Sequence, residues 1–162
     1  MRWAQGAVIF ADLRIMLAPI PILFALSASI STNPVTWKFS ATSAGDGLVR
    51  VEVRSEVRSG WHIYATSLPS DQGPVATSIR FHESESYVIN GPLQEPAAVE
   101  VFDPNFSMMV RYHEGSPVFS QIIKPMRAGE FDVLGEVEYM VCNEKTCLPP
   151  VKVPFKLHVE SI

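Results

Sequence analysis

Cys142 and Cys147 are the only cysteines of this 162-residue chain. They stand five positions apart near its end, in Tyr139-Met140-Val141-Cys142-Asn143-Glu144-Lys145-Thr146-Cys147-Leu148-Pro149-Pro150. A close, isolated pair can staple a fold, exchange its disulfide with other thiols, or supply part of a metal site. Metal is the poorest of the three, because two thiolates without nearby histidines do not complete a tetrahedral zinc site. The spacing is not Cys-x-x-Cys and no βαβ pattern surrounds it, which argues against a thioredoxin fold. As a staple the bond is weak, since closing a loop of about six residues gives roughly 2 kcal/mol in the chain-entropy picture, against about 3 for 15 residues. A bond at a hairpin tip is also within reach of an attacking thiolate, as exchange requires. Spacing alone leaves the staple and the redox pair both open.

The segments that flank the cysteines say how they are held. Phe131, Val133, Val137, Tyr139 and Val141 share one parity, opposite Asp132, Glu136 and Glu138. After the pair, Val151, Val153, Phe155, Leu157 and Val159 alternate with Lys152, Pro154, Lys156 and His158. One apolar face and one polar face mark antiparallel strands half-buried in a sheet. A hairpin with Asn143 to Thr146 as its loop sets Cys142 opposite Cys147, where Cβ atoms lie about 4.5–5.5 Å apart. A disulfide needs roughly 3.5–4.5 Å, so modest adjustment closes it.

The same period of two recurs at Val35, Trp37 and Phe39 and at Val49, Val51 and Val53. Shorter strand candidates lie at 61–65, 76–82, 97–102, 108–113 and 117–123, separated by Gly-, Pro- and Asn-rich turns. No segment after residue 32 is helically periodic. Eight or nine short strands predict an all-β antiparallel sandwich. Pro154 within the last strand predicts an edge position or a bulge there.

Apolar residues make up 47% and charged residues 19%, which suits a globular chain. The net charge of −4 leaves no basic stripe for nucleic acid. The first 31 residues read as a leader. Arg2 and Arg14 precede the apolar run from Ile15 to Leu26, and the small residues Ser27, Ala28, Ser29 and Ser31 follow. That is the order of a secretory signal. The run is shorter than the roughly 20 residues that span a bilayer, and Pro19 and Pro21 interrupt it. A cleaved leader over 1–31 and a domain over 32–162 are expected, with a retained membrane tether as the alternative. Export places the thiols where disulfides persist.

Three segments carry a family resemblance. Cys142 to Pro150, preceded by Val137-Glu138-Tyr139, resembles the active-site segment of the N-terminal periplasmic domain of the thiol:disulfide interchange protein DsbD. Gly60-Trp61-His62-Ile63-Tyr64 with Gly73-Pro74 resembles that family's early strand pair. Phe102-Asp103-Pro104-Asn105-Phe106 with Tyr112-His113-Glu114-Gly115 is the third segment. The resemblance covers roughly residues 35–160, with Cys-x4-Cys-Leu-Pro-Pro as its specific part. The proteobacterial form of the domain has one more residue between its cysteines.

The resemblance implies an immunoglobulin-like β-sandwich and a protein-disulfide reductase component that shuttles electrons. Cys142 and Cys147 would be its redox pair, Cys147 attacking downstream substrates and Cys142 resolving. A cap over Asp103 to Ser107, with Phe106 as its ring, would shield them. No organic cofactor or metal is implied. The implied donors are thioredoxin-like and membrane-embedded reductase proteins, and the acceptors are oxidised periplasmic proteins, as in cytochrome c biogenesis. The chain stops at Ile162 without a transmembrane conduit, so the resemblance leaves the electron supply to other chains. The competing reading is an immunoglobulin-like binding module with a structural disulfide. Read without the resemblance, Trp61 and Tyr64 are core or strand residues, His62 is a surface residue, Asp103 makes a turn with Pro104, and Met108-Met109 is packing.

Overall fold

A computed structural model describes residues 33–161; the leader expected over 1–31 and its boundary at 31/32 lie outside them. Ten strands form, and no helix occurs among the described residues. They are β1 (Val35–Gly45), β2 (Leu48–Val57), β3 (His62–Tyr64), β4 (Ser78–Phe81) and β5 (Tyr87–Ile89), then β6 (Val99–Asp103), β7 (Met108–His113), β8 (Val118–Pro125), β9 (Gly129–Cys142) and β10 (Cys147–Ser161). All pairings are antiparallel. One sheet runs β1-β2-β8-β5; the other runs β10-β9-β3-β7-β6, with β4 also paired to β9.

The core lies between the sheets and draws on both. Val49, Val51, Val53, Phe119 and Ile123 of the first sheet meet Ile63, Val133, Val137, Tyr139 and Val141 of the second. Each set is the apolar parity of its strand, which is why alternation in the sequence reads directly as a sandwich. Trp37 packs edge-on against Tyr139 at 5.3 Å between ring centroids. Asn33 Nδ2 donates to the Tyr139 hydroxyl at 2.7 Å, so that buried phenol has a partner. The loop before β6 is tied down by Glu95. Its carboxylate accepts from Thr66 N and Thr66 Oγ1 at 2.7 Å each and lies 2.9 Å from His113 Nε2.

The sandwich has ten strands rather than eight or nine. The addition is β5, a three-residue strand in a serine- and glutamate-rich stretch that pairs with the end of β8. Pro154 sits on β10, the outermost strand of its sheet, as its missing N–H requires. The bulge falls elsewhere. The β9–β10 register shifts between Leu148 and Val151, at Pro149 and Pro150, two consecutive residues that cannot donate to the ladder.

Gly135 sits where a side chain would have no room. It pairs with Phe155 on one side and Phe81 on the other. The Phe155 ring lies over it and stacks on Phe39 at 4.5 Å. A Cβ at Gly135 would meet the Phe155 ring and the Arg80 carbonyl oxygen, the latter at 2.5 Å. Gly135→Ala is therefore expected to lower the unfolding free energy by about 1–3 kcal/mol. Urea denaturation would show it as a lower midpoint at unchanged slope.

Candidate functional site

Cys142 ends β9 and Cys147 begins β10, directly opposed in register with Cα atoms 4.1 Å apart and joined by a disulfide. Asn143 builds the loop between them. Its N–H donates to the Thr146 carbonyl at 2.9 Å, and its Oδ1 accepts from the backbone N–H of Lys145 and Thr146 at 2.8 and 2.9 Å. An Asn side chain that satisfies the backbone two and three residues on fixes a tight turn. Asn143 and Thr146 thus make the hydrogen-bonded end of the ladder. The cysteines take the next position, where opposed Cα atoms come closest.

Along β9 the inward residues are Phe131, Val133, Val137, Tyr139 and Val141. Cys142 has the other parity, shared with Asp132, Leu134, Glu136, Glu138 and Met140, none of which is buried. Yet Cys142 is fully buried. It lies outside the sandwich, in a second small cluster with Tyr64 and Val110. Leu68, Phe106, Met108, Met140 and Cys147 pack against that cluster. Cys147 itself is only partly buried.

The cover comes chiefly from the β6–β7 hairpin. Asp103 closes β6 with its carboxylate buried. Its Oδ2 accepts from the Tyr64 hydroxyl at 2.6 Å, and its Oδ1 accepts from Asn105 N at 2.8 Å. Asp103 thus turns the chain at Pro104 and also bonds Tyr64 of the cysteine cluster. Asn105 Nδ2 donates to the Asn143 carbonyl at 3.1 Å, joining this hairpin tip to the cysteine loop. Phe106 meets the Tyr64 ring edge-on at 6.1 Å. Ser107 takes a left-handed φ of 55°, an uncommon conformation for a residue with a side chain. Met108 packs beneath this turn while Met109 is exposed, and no metal-ligating cluster occurs among the described residues.

His62 departs from the surface position expected of it. Its side chain is only 13% exposed, its ring stacks on Tyr112 at 4.4 Å, and it pairs with Cys142 across β3 and β9. Burial holds its imidazole below the ordinary range, against the opposing pull of the Asp103 and Glu114 carboxylates. Tyr64, expected as a core or strand residue, lies on β3 and is buried in the cysteine cluster rather than between the sheets. Burial, then the bond to Asp103 and its charge, pushes the Tyr64 phenol far above its ordinary range. An open groove of about 780 Å³ runs past the site, lined among others by His62, Asp103, Asn105, Tyr112, Glu144 and Lys145.

The structure thus brings Cys142, Cys147, Phe106 and Asp103 into one place. The sequence reading missed His62 and Tyr112 as neighbours of the pair. Parity could have found His62, because it shares a face with Tyr64, two residues on. The hydrogen bond from Asn105 to Asn143 has no sequence signature, being set by the meeting of two hairpin tips.

A family model described as the thiol:disulfide interchange protein DsbD, N-terminal, matches residues 28–158. Among solved structures, the chain is similar to the reduced DsbD N-terminal domain of Neisseria meningitidis. The TM-score is 0.51 and the identity 17%, over 76% of this chain and 86% of that one. It is also similar to the N-terminal periplasmic domain of ScsB from Proteus mirabilis, with a TM-score of 0.57 and 16% identity over 82% of this chain. There it spans 49% of the other chain. A search of the curated proteins gives no match. At these identities the structural likeness concerns the fold, an immunoglobulin-like antiparallel sandwich.

Burial of the Tyr64 phenol, with its bond to Asp103, sets a pH dependence. The folded-state phenol ionises above the unfolded one, so its stabilising contribution is complete below about pH 10. As pH rises past that value the unfolded chain ionises first and stability falls. Each pH unit of that window removes about 1.4 kcal/mol per such group. Tyr64→Phe is expected to cost about 1–3 kcal/mol at neutral pH, because Asp103 loses a buried donor. It should also flatten part of the alkaline decline in urea titrations at pH 9 to 11.

Proposed function

This chain belongs to the family of the N-terminal domain of the thiol:disulfide interchange protein DsbD, and we propose that it is an exported carrier of reducing equivalents. The family implies thiol–disulfide interchange and a periplasmic setting. In this proposal residues 1–31 direct export, as a cleaved leader or as a tether, and residues 32–162 do the chemistry. Electrons arrive from a membrane reductase through a thioredoxin-like protein and leave to oxidised periplasmic proteins.

The exchange balances within the two chains. The Cys147 thiolate attacks a partner disulfide, one partner sulfur leaves, and a mixed disulfide forms. Cys142 then attacks Cys147 Sγ, which re-forms the Cys142–Cys147 bond and releases the partner as a dithiol. Two electrons and two protons have passed to the partner, and a reduced donor reverses the sequence. The observation that carries this reading is the unequal exposure of the two sulfur residues. Cys142 is fully buried on an outward parity, while Cys147 is partly open. An attacking thiol needs access, whereas a resolving thiol needs only its neighbour.

In this account the Asp103–Ser107 turn is a cap, and the Phe106 ring shields the reduced pair until a partner displaces it. Its attachments support that: one hydrogen bond joins it to the cysteine loop, and Phe106 is only partly buried.

Trapping tests the proposal. Cys142→Ser, expressed in the host, should accumulate mixed disulfides through Cys147, and Cys147→Ser should accumulate far fewer. Absence of adducts from both variants would leave the bond as a staple in a binding module. A cap worth about 1 kcal/mol of barrier predicts that Phe106→Ala speeds oxidation of the reduced pair by a small disulfide about fivefold. An unchanged rate would remove Phe106 from this role.

A further inference from the structure

β9 holds Cys142 between two directly opposed partners, Cys147 on β10 and His62 on β3. Opposed side chains of antiparallel strands share a face, with Cβ atoms about 4.5–5.5 Å apart. Cys147, Cys142 and His62 therefore form one row across the sheet. The exchange proposed above uses the first two and leaves the third without a task.

The His62 ring is held rather than loose. It stacks on Tyr112 and meets the edge of Tyr64 at 5.3 Å. Its Nε2 is buried and has no hydrogen-bond partner, with Asp103 Oδ2 4.0 Å away. Unpartnered buried ring nitrogens are uncommon. The disulfide beside it has no proton to offer, whereas reduction places an S–H on Cys142.

We propose that His62 is the proton acceptor for Cys142 in the resolving step, an inference that rests on the exchange reading above. In the mixed disulfide Cys147 is bonded to the partner and Cys142 is a thiol. A thiol buried among apolar groups gives up its proton reluctantly, and only the thiolate attacks. His62 takes that proton. Cys142 Sγ bonds Cys147 Sγ, and the bond to the partner breaks with its electron pair on the partner sulfur. The imidazolium then returns the proton to that leaving thiolate, so no further reactant enters.

The surroundings suit a transient imidazolium. The titratable groups around the ring are Tyr64 on its own strand, Tyr112 on β7, Asp103 on β6, Glu114 after β7, and Glu144 and Lys145 of the cysteine loop. Two of the carboxylates, Asp103 and Glu114, favour the charged ring, and burial, the larger effect, opposes it. Of these side-chain types, only histidine ordinarily titrates near neutral pH.

Stopped-flow reaction of the reduced protein with 5,5′-dithiobis(2-nitrobenzoate) isolates the step. Attack by Cys147 releases one thionitrobenzoate, and ring closure by Cys142 releases the second. That aryl thiolate leaves without needing a proton, so the second phase reports proton removal from Cys142. His62→Gln and His62→Phe should slow the second phase at pH 7 by at least about tenfold and leave the first unchanged. The wild-type rate should level off above the imidazole titration, whereas the variant rates should climb steadily with pH. The Phe variant retains the stack on Tyr112, and urea midpoints verify folding. A second phase with wild-type rate and pH profile in either folded variant overturns the role. An NMR titration of wild-type His62 adds a test that needs no variant: its midpoint should move when the pair is reduced, and an unmoved midpoint counts against the proposal. A wild-type protein lacking any second phase would instead overturn the exchange reading itself.

Discussion

The position of Cys142 on β9 constrains everything around it. Strand alternation sends Val141 into the sandwich and Cys142 out of it. An outward side chain at a sheet end belongs to solvent unless something else covers it. Here a second small core, built on Tyr64 and Val110 and roofed by the β6–β7 turn, does so. Cys142 is thereby buried without being part of the main core, while Cys147 stays partly open. The cover over Cys142 is a turn and a few side chains rather than the fold.

The division of labour between the two clusters follows from their sizes. The main core joins the two sheets through apolar side chains, and long hydrogen-bonded ladders within each sheet hold the strands that aim the cysteines. The outer cluster depends on fewer contacts, with Tyr64 to Asp103 and Asn105 to Asn143 as its polar anchors. Local opening free energies span a wide range within one protein, and elements with few buried contacts occupy the low end.

Much of this was legible in the chain. The alternating runs around 131–141 and 151–159 place the hairpin, its loop and the opposed cysteines, because period-two patterning leaves little freedom of register. The sandwich follows from the same signal. β5 was not legible, since Tyr87-Val88-Ile89 is too short to show a period and forms only because β8 offers an edge. Pro154 signals the edge position that β10 takes, whereas the bulge at Pro149 and Pro150 carries no expectation from the sequence. A single proline on an outer strand costs no ladder bond if its nitrogen faces solvent, whereas two in succession must break one. A polar residue on an outward parity normally lies on the surface, which is the position the sequence predicts for His62. The reading overlooked that Cys142, on the same outward side, was itself to be covered.

The central claim is that the Cys142–Cys147 bond is a working redox couple rather than a staple. Its reduction potential tests that most directly, by equilibrating the protein with defined mixtures of reduced and oxidised dithiothreitol. A carrier predicts a value near the thioredoxin region of about −270 mV or higher. A value below about −300 mV would mark a structural disulfide and contradict the account.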